Sequence, residues 1–170
     1  MHFGHDPRLL QEASDLRKQA DAGVTSYQEF LQRIADLSRV PAQKVQAAIE
    51  SNVANDDLFA YIERDLKPHY KIGMLSNAAG DRCEALFGRE RVKLFDAVAL
   101  SYETGVTKPS KEAYLTIAER LGVAPEACIF VDDQERYCAA ARDVGMQAIY
   151  YQDFDQFKAE LEDMLRRSGK

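Results

Sequence analysis

Three short polar groups in this chain combine the residue types that hold a phosphate and a divalent cation. They are Leu75-Ser76-Asn77-Ala78, Thr104-Gly105-Val106-Thr107-Lys108-Pro109 and Phe130-Val131-Asp132-Asp133. A transferring phosphoryl group needs donors on its oxygens, and its charge must be neutralised by a cation and a metal. Ser76, with Asn77 and the backbone N–H groups beside it, supplies donors. Lys108 supplies a point charge worth about 4 kcal/mol against a unit anion at roughly 4 Å and an effective dielectric near ~20, before desolvation is subtracted. Asp132 and Asp133 offer hard oxygen ligands, and magnesium commonly uses only one or two protein carboxylates while keeping waters and a substrate oxygen. Taken singly, each group has a plainer meaning: a loop, a solvated turn, a helix N-cap. Their joint occurrence in this order carries the signal.

These residues must be positioned by the elements around them. From Tyr70 onward, short apolar runs alternate with amphipathic stretches, the pattern of βα units and a parallel sheet. Strands are expected over Lys71 to Leu75, Ala97 to Leu100, Cys128 to Val131 and Ala148 to Tyr151. Helices are expected over Gly80 to Phe87, Lys111 to Leu121, Arg136 to Val144 and Phe157 to Arg166, with Gly122 and Gly145 as stops. In an open parallel sheet, ligands bind outside the carboxyl ends of the strands, which is where Ser76, Lys108 and the Asp132-Asp133 pair fall. The first part of the chain reads differently, with helical periodicity and no convincing strand. Asp6-Pro7 caps a helix carrying Leu9, Leu10, Ala13 and Leu16, and Ser26 with Glu29 forms a capping box ahead of Phe30, Leu31, Ile34 and Leu37. Two more helices follow, around Val45 to Ile49 and Leu58 to Leu66. The expected organisation is a helical subdomain over 1–68 and an α/β core over 69–170.

Bulk properties narrow the partners. The 170 residues suffice for one core with an inserted subdomain, and the net charge of -6 disfavours nucleic acid as the main ligand. No apolar stretch is long enough for a membrane span or signal peptide, so a cytoplasmic protein is expected. Cys83, Cys128 and Cys138 lack metal-type spacing and read as reduced structural thiols, with Cys128 and Cys138 in segments that look buried.

The ordered set Leu75-Ser76-Asn77, Gly105-x-x-Lys108-Pro109 and Val131-Asp132-Asp133, followed by Ala139-Ala140-Ala141-Arg142-x-x-Gly145-Met146, resembles the second, third and fourth motifs of the haloacid dehalogenase-like (HAD) superfamily. The similarity is to its phosphatase-type branch, with a helical cap over Pro7 to Lys67 and a Rossmann-like core over Tyr70 to Arg166. The resemblance implies a magnesium-dependent hydrolase of small phosphorylated metabolites. In it Ser76 and Asn77 bind phosphate, Lys108 is catalytic in steadying nucleophile and phosphate, and Asp132 and Asp133 hold Mg2+.

The departures also have consequences. Family members begin with an apolar strand ending in Asp-x-Asp, whose first carboxylate attacks phosphorus and whose second acts as general acid and base. Here Met1-His2-Phe3-Gly4-His5 precedes Asp6-Pro7, which reads as a helix cap, so the central first strand is expected to be missing and the chain inactive as written. An N-terminally shortened sequence and a non-catalytic, metabolite- or partner-binding remnant are both open. Ser110 stands where an acidic residue often follows the lysine-proline pair, and Tyr137 where an asparagine is common. Without the central strand, its two neighbours are expected to close directly on each other into a four-stranded sheet, with self-association through the slot as the other outcome. A phosphoacceptor receiver domain shares the residue types but places its acidic pair first, and a dehalogenase of the same superfamily fits the double aspartate less well.

Overall fold

The computed structural model describes residues 6–50, 54–81, 83–167 and 169. Met1 to His5, on which the N-terminal reading partly rests, lie outside them. The contacts of the chain divide it into two units that interleave in sequence: one formed by 1–55, 76–94 and 99–107, the other by 56–75, 95–98 and 108–170.

The first unit is built on helices α1 (Pro7–Asp21), α2 (Tyr27–Ser38) and α3 (Ala42–Glu50). Asp6 caps α1, its side chain accepting from Arg8 N at 2.9 Å ahead of Pro7, and Ser26 Oγ accepts from Glu29 N at 3.2 Å at the start of α2. Both caps satisfy donors that a helix start leaves open. The apolar stripe read from the sequence is buried: Leu16, Ala20, Phe30, Leu31, Ile34, Ala35 and Val45 form one cluster, and Ala79 packs on it from the loop after the first strand. The same unit contains α5 (Cys83–Phe87), α6 (Arg89–Val92) and α7 (Ser101–Thr104).

The second unit starts with α4 (Asp56–Tyr61), which continues as a π-helix over Ile62–Leu66. Its strands and helices include β3 (Ile129–Asp132), β4 (Gln147–Tyr150), α8 (Lys111–Leu121), α9 (Glu135–Asp143) and α10 (Phe154–Arg167). β3 and β4 are parallel, in the register Ile129↔Gln147 through Asp132↔Tyr150. α9 lies against them through small residues, Cys138 and Ala141, both fully buried, which let helix and sheet backbones approach closely. Tyr61, Leu66, Ile149, Phe157 and Leu161 form the apolar cluster on which α10 closes. α8 ends at Gly122, whose left-handed φ of 65° lets its N–H reach the carbonyls of Ala118 and Glu119.

Two remaining strands, β1 (Gly73–Ser76) and β2 (Ala97–Leu100), pair with each other, and the unit boundary runs through both. β1 begins two residues later than the sequence suggests. Ile72 N donates to Asp96 Oδ2 at 2.7 Å, so a side chain takes the bond a ladder would have used. Helix starts move for a similar reason: Asp81 Oδ1 accepts from Cys83 N, and Asp153 Oδ1 from Gln156 N at 2.9 Å, beginning α5 three residues late and α10 three residues early. Cys128 is half-buried instead of buried.

The expected closure of the sheet is not observed. Among the described residues β1 pairs with β2 and β3 with β4, in two separate two-stranded sheets. β1 is anchored where it is. A Cβ on Gly73 would stand 2.8 Å from Leu121 Cδ1 and 3.2 Å from Ile117 Cγ1, so its backbone lies directly on α8. Sliding it sideways by a strand spacing of about 4.8 Å would forfeit that packing.

Candidate functional site

In the second unit, β3 delivers Asp132 as its last residue, and the turn into α9 presents Asp133. Lys108 comes from the segment before α8, and its peptide bond to Pro109 is cis. The Lys108 ammonium lies 2.5 Å from Asp132 Oδ2, with side-chain exposures of 10% and 8%. The other carboxylate oxygen accepts from Gln134 N at 2.9 Å. Asp132 is thus fixed on both oxygens, whereas Asp133 is exposed. Such a buried pair is costly to desolvate, and it is kept only where geometry and further contacts compensate.

Those contacts are aromatic. Lys108 Nζ lies 4.9 Å from the ring centre of Tyr137 and 5.5 Å from that of Phe130. Buried Tyr114 meets Phe130 edge-on at 5.2 Å, and its hydroxyl donates to Tyr137 O at 2.9 Å. Burial pushes the Tyr114 phenol far above its ordinary range, and the Asp132 charge adds to the effect, so it remains a donor. Burial likewise raises the Cys138 thiol, with the Glu135 and Asp132 charges acting in the same direction. This fits its reading as an inert structural cysteine.

Ser76 and Asn77 belong to the first unit. Their loop is held by a residue the motif reading passes over. Ser101, 2% exposed, accepts through Oγ from Ala78 N at 3.0 Å, and Tyr102 N donates to Ala78 O at 3.2 Å. The signal for it was a serine directly after the apolar run Ala97 to Leu100. The lysine and the first aspartate are therefore brought together, with Asp133 next to them in sequence, and the serine loop is supported from within its own unit.

Magnesium is the metal this donor set suits. Two adjacent carboxylates offer hard oxygens with several lone pairs, enough for an ion that keeps most of its waters. Among the described residues no group of three or more His, Cys, Asp or Glu forms a self-sufficient metal cage, so waters or a ligand oxygen must complete any shell. Asp6 is the cap of α1, as its sequence context suggests.

A model of the haloacid dehalogenase-like hydrolase family matches residues 5–145. The chain belongs to that family. Its Rossmann-like core is the α/β arrangement seen in solved relatives. A HAD enzyme of Bacteroides thetaiotaomicron, crystallised as an aspartate-to-alanine variant with magnesium and inorganic phosphate, superposes with a TM-score of 0.69 at 24% identity, over 79% of this chain and 71% of that one. A HAD-like hydrolase of Porphyromonas gingivalis gives 0.70 at 22% identity, over 89% and 78%. In sequence, an enolase-phosphatase of Drosophila mojavensis is 24% identical over 84% of this chain and 63% of its own length. A chloroplast flavin mononucleotide hydrolase of Arabidopsis thaliana is 35% identical over 35% of this chain and 24% of its own. The chain thus spans less than two thirds of either curated relative. No helix among the described residues is long and apolar enough to cross a membrane.

Proposed function

We propose that this chain carries the phosphate- and magnesium-binding part of a HAD phosphatase acting on small phosphorylated metabolites, with residues 1–68 as its cap. The observation that carries the reading is the buried Lys108–Asp132 pair at the carboxyl end of β3, with exposed Asp133 beside it. Relatives named as phosphatases and a solved neighbour holding magnesium and phosphate support it. Lys108 provides positive charge for a phosphoryl group, and Ser76 and Asn77 have the motif role of donors to its oxygens. Asp132 and Asp133 would hold magnesium, which when bound neutralises phosphoryl oxygens. Asp132 also keeps Lys108 in place.

The 170-residue polypeptide is further proposed to turn over phosphate esters negligibly on its own, as a binding rather than a catalytic unit. Asp6 is engaged as the cap of α1, and a carboxylate that satisfies backbone donors is poorly disposed to attack phosphorus. Loss of a nucleophile costs about a millionfold by analogy with other covalent mechanisms. The test is hydrolysis of an aryl phosphate with magnesium. Background rates are expected. Turnover of about 1 s⁻¹ or faster, an ordinary enzyme value, that disappears in Lys108→Ala would mean that a nucleophile is present and has been misassigned.

A further inference from the structure

Tyr137 stands at the position where sequences with this motif commonly carry an asparagine, and its surroundings give the exchange a purpose. The residue is 8% exposed and its ring meets two cations, with Lys108 Nζ at 4.9 Å and the Arg136 guanidinium carbon at 4.6 Å from its centre. Its hydroxyl accepts from Arg136 Nη2 at 3.0 Å, and its carbonyl accepts from Tyr114. Tyr114 meets Phe130 edge-on, and Phe130 is the second ring near Lys108. The chain of contacts closes on itself, from Lys108 through Phe130, Tyr114 and Tyr137 back to Lys108. It draws on the three elements β3, α8 and α9, all within the second unit.

We infer that Tyr137 is a positioning residue for Lys108, whose ring fixes where the ammonium charge sits while leaving that charge available to a bound anion. An aromatic face attracts a cation through its quadrupole and carries no net charge. A second carboxylate at the same place would hold the lysine as firmly but cancel the charge that phosphate needs. An asparagine side chain has no such face, so the ring brings a function the commoner residue lacks. Arg136 braces the ring twice, by its guanidinium over the ring and by its hydrogen bond to the hydroxyl. The consequence for phosphate rests on the proposed role of Lys108, and the position of the ammonium stands independently of it.

The experiment uses the full chain and inorganic phosphate in the presence of magnesium, with Tyr137→Phe, Tyr137→Leu and Lys108→Ala compared with the wild type. Two quantities are read: the ring-current displacement of the Lys108 ε-methylene signals by NMR, and the dissociation constant for phosphate. Tyr137→Phe keeps the face and should retain the upfield displacement and the affinity. Tyr137→Leu should lose the Tyr137 part of the displacement, leaving that of Phe130, and bind phosphate roughly three- to tenfold more weakly, the range a partly desolvated cation–π contact supports. A purely structural tyrosine would alter stability and leave the phosphate affinity of the folded Tyr137→Leu variant where it was. Unchanged phosphate affinity in Tyr137→Leu, alongside weakened binding in Lys108→Ala, overturns the inference. If Lys108→Ala binds phosphate as the wild type does, the phosphate reading of the site fails, and the ring-current displacement alone decides whether Tyr137 holds the lysine. Should Tyr137→Leu not fold, the wild-type and Tyr137→Phe spectra decide, since lysine signals at random-coil positions in both contradict the contact.

Discussion

Replacing Lys108 by methionine isolates the charge in the buried pair. The methionine stem is apolar, flexible and of similar length, so it can pack against Phe130 and Tyr137 and limit any cavity. What it cannot do is neutralise Asp132. The pair is 2.5 Å apart with both side chains at or below 10% exposure, so the variant leaves a carboxylate largely out of water with Gln134 N as its remaining donor. Breaking a buried pair on one side typically costs about 3–5 kcal/mol. The retained hydrogen bond argues for the lower end, about 3 kcal/mol. With a urea m-value of about 1–3 kcal/mol/M for a small protein, the unfolding midpoint should fall by about 1–3 M. Magnesium provides a second reading of the same perturbation. With the ammonium gone, the aspartate pair is more anionic and should bind the ion more tightly, so saturating magnesium should raise the midpoint of the variant more than that of the wild type. The assay is urea denaturation followed by circular dichroism, with and without magnesium. A loss below about 0.5 kcal/mol, the range of ordinary surface substitutions, would refute the claim that this pair is buried and coupled.

Three further outcomes follow from other parts of the structure. Ser101→Ala removes the acceptor of Ala78 N at a site 2% exposed, and should cost about 1–3 kcal/mol in thermal or chemical unfolding, the price of an unmet buried donor. Gly73→Ala puts a methyl 2.8 Å from Leu121 Cδ1, the movable end of that side chain, and should destabilise by no more than about 1 kcal/mol, with Leu121→Ala relieving the contact in the double variant. The Asp96 carboxyl is held below its usual range, first by Lys67 and then by Ile72 N. Its stabilisation is therefore present above the unfolded-state value near ~4 and is lost as pH falls through the lower folded value. Being partly exposed, it should contribute no more than about 1 kcal/mol, and the stability gap between wild type and Asp96→Asn should close on acidification.

The sequence was most readable where local chemistry and tertiary packing agree. Asp6-Pro7 and Ser26-x-x-Glu29 mark helix starts because their bonds are made within a few residues, and Lys111–Leu121 with Gly122 follows from periodicity and a left-handed stop. β1 was less readable, since a side chain 24 residues away takes the N–H of Ile72. The one-turn helices Arg89–Val92 and Ser101–Thr104 leave too little periodicity to detect, and the π-turn after Tyr61 looks like ordinary helix in sequence. At the site, Lys108 and Asp132 were nominated by residue type and motif order, and the structure makes them partners. The aromatic enclosure was not legible, because Phe130, Tyr114 and Tyr137 converge only when β3, α8 and α9 pack together. Tyr137 was visible as a departure from the motif, without any indication of what it faces. Direct closure of β1 on β3 is not seen: β1 pairs with β2 and lies close to the Ile117 and Leu121 side chains of α8, contacts that the pattern of apolar runs does not reveal.

The most direct test of the account is a calorimetric titration of the full chain with inorganic phosphate in saturating magnesium, repeated on the double variant Asp132→Asn and Asp133→Asn. The account predicts magnesium-dependent phosphate binding by the wild type and its loss in the double variant, with the variant still folded by circular dichroism. Phosphate bound equally well by a folded double variant, or with no dependence on magnesium, would contradict the assignment of this site.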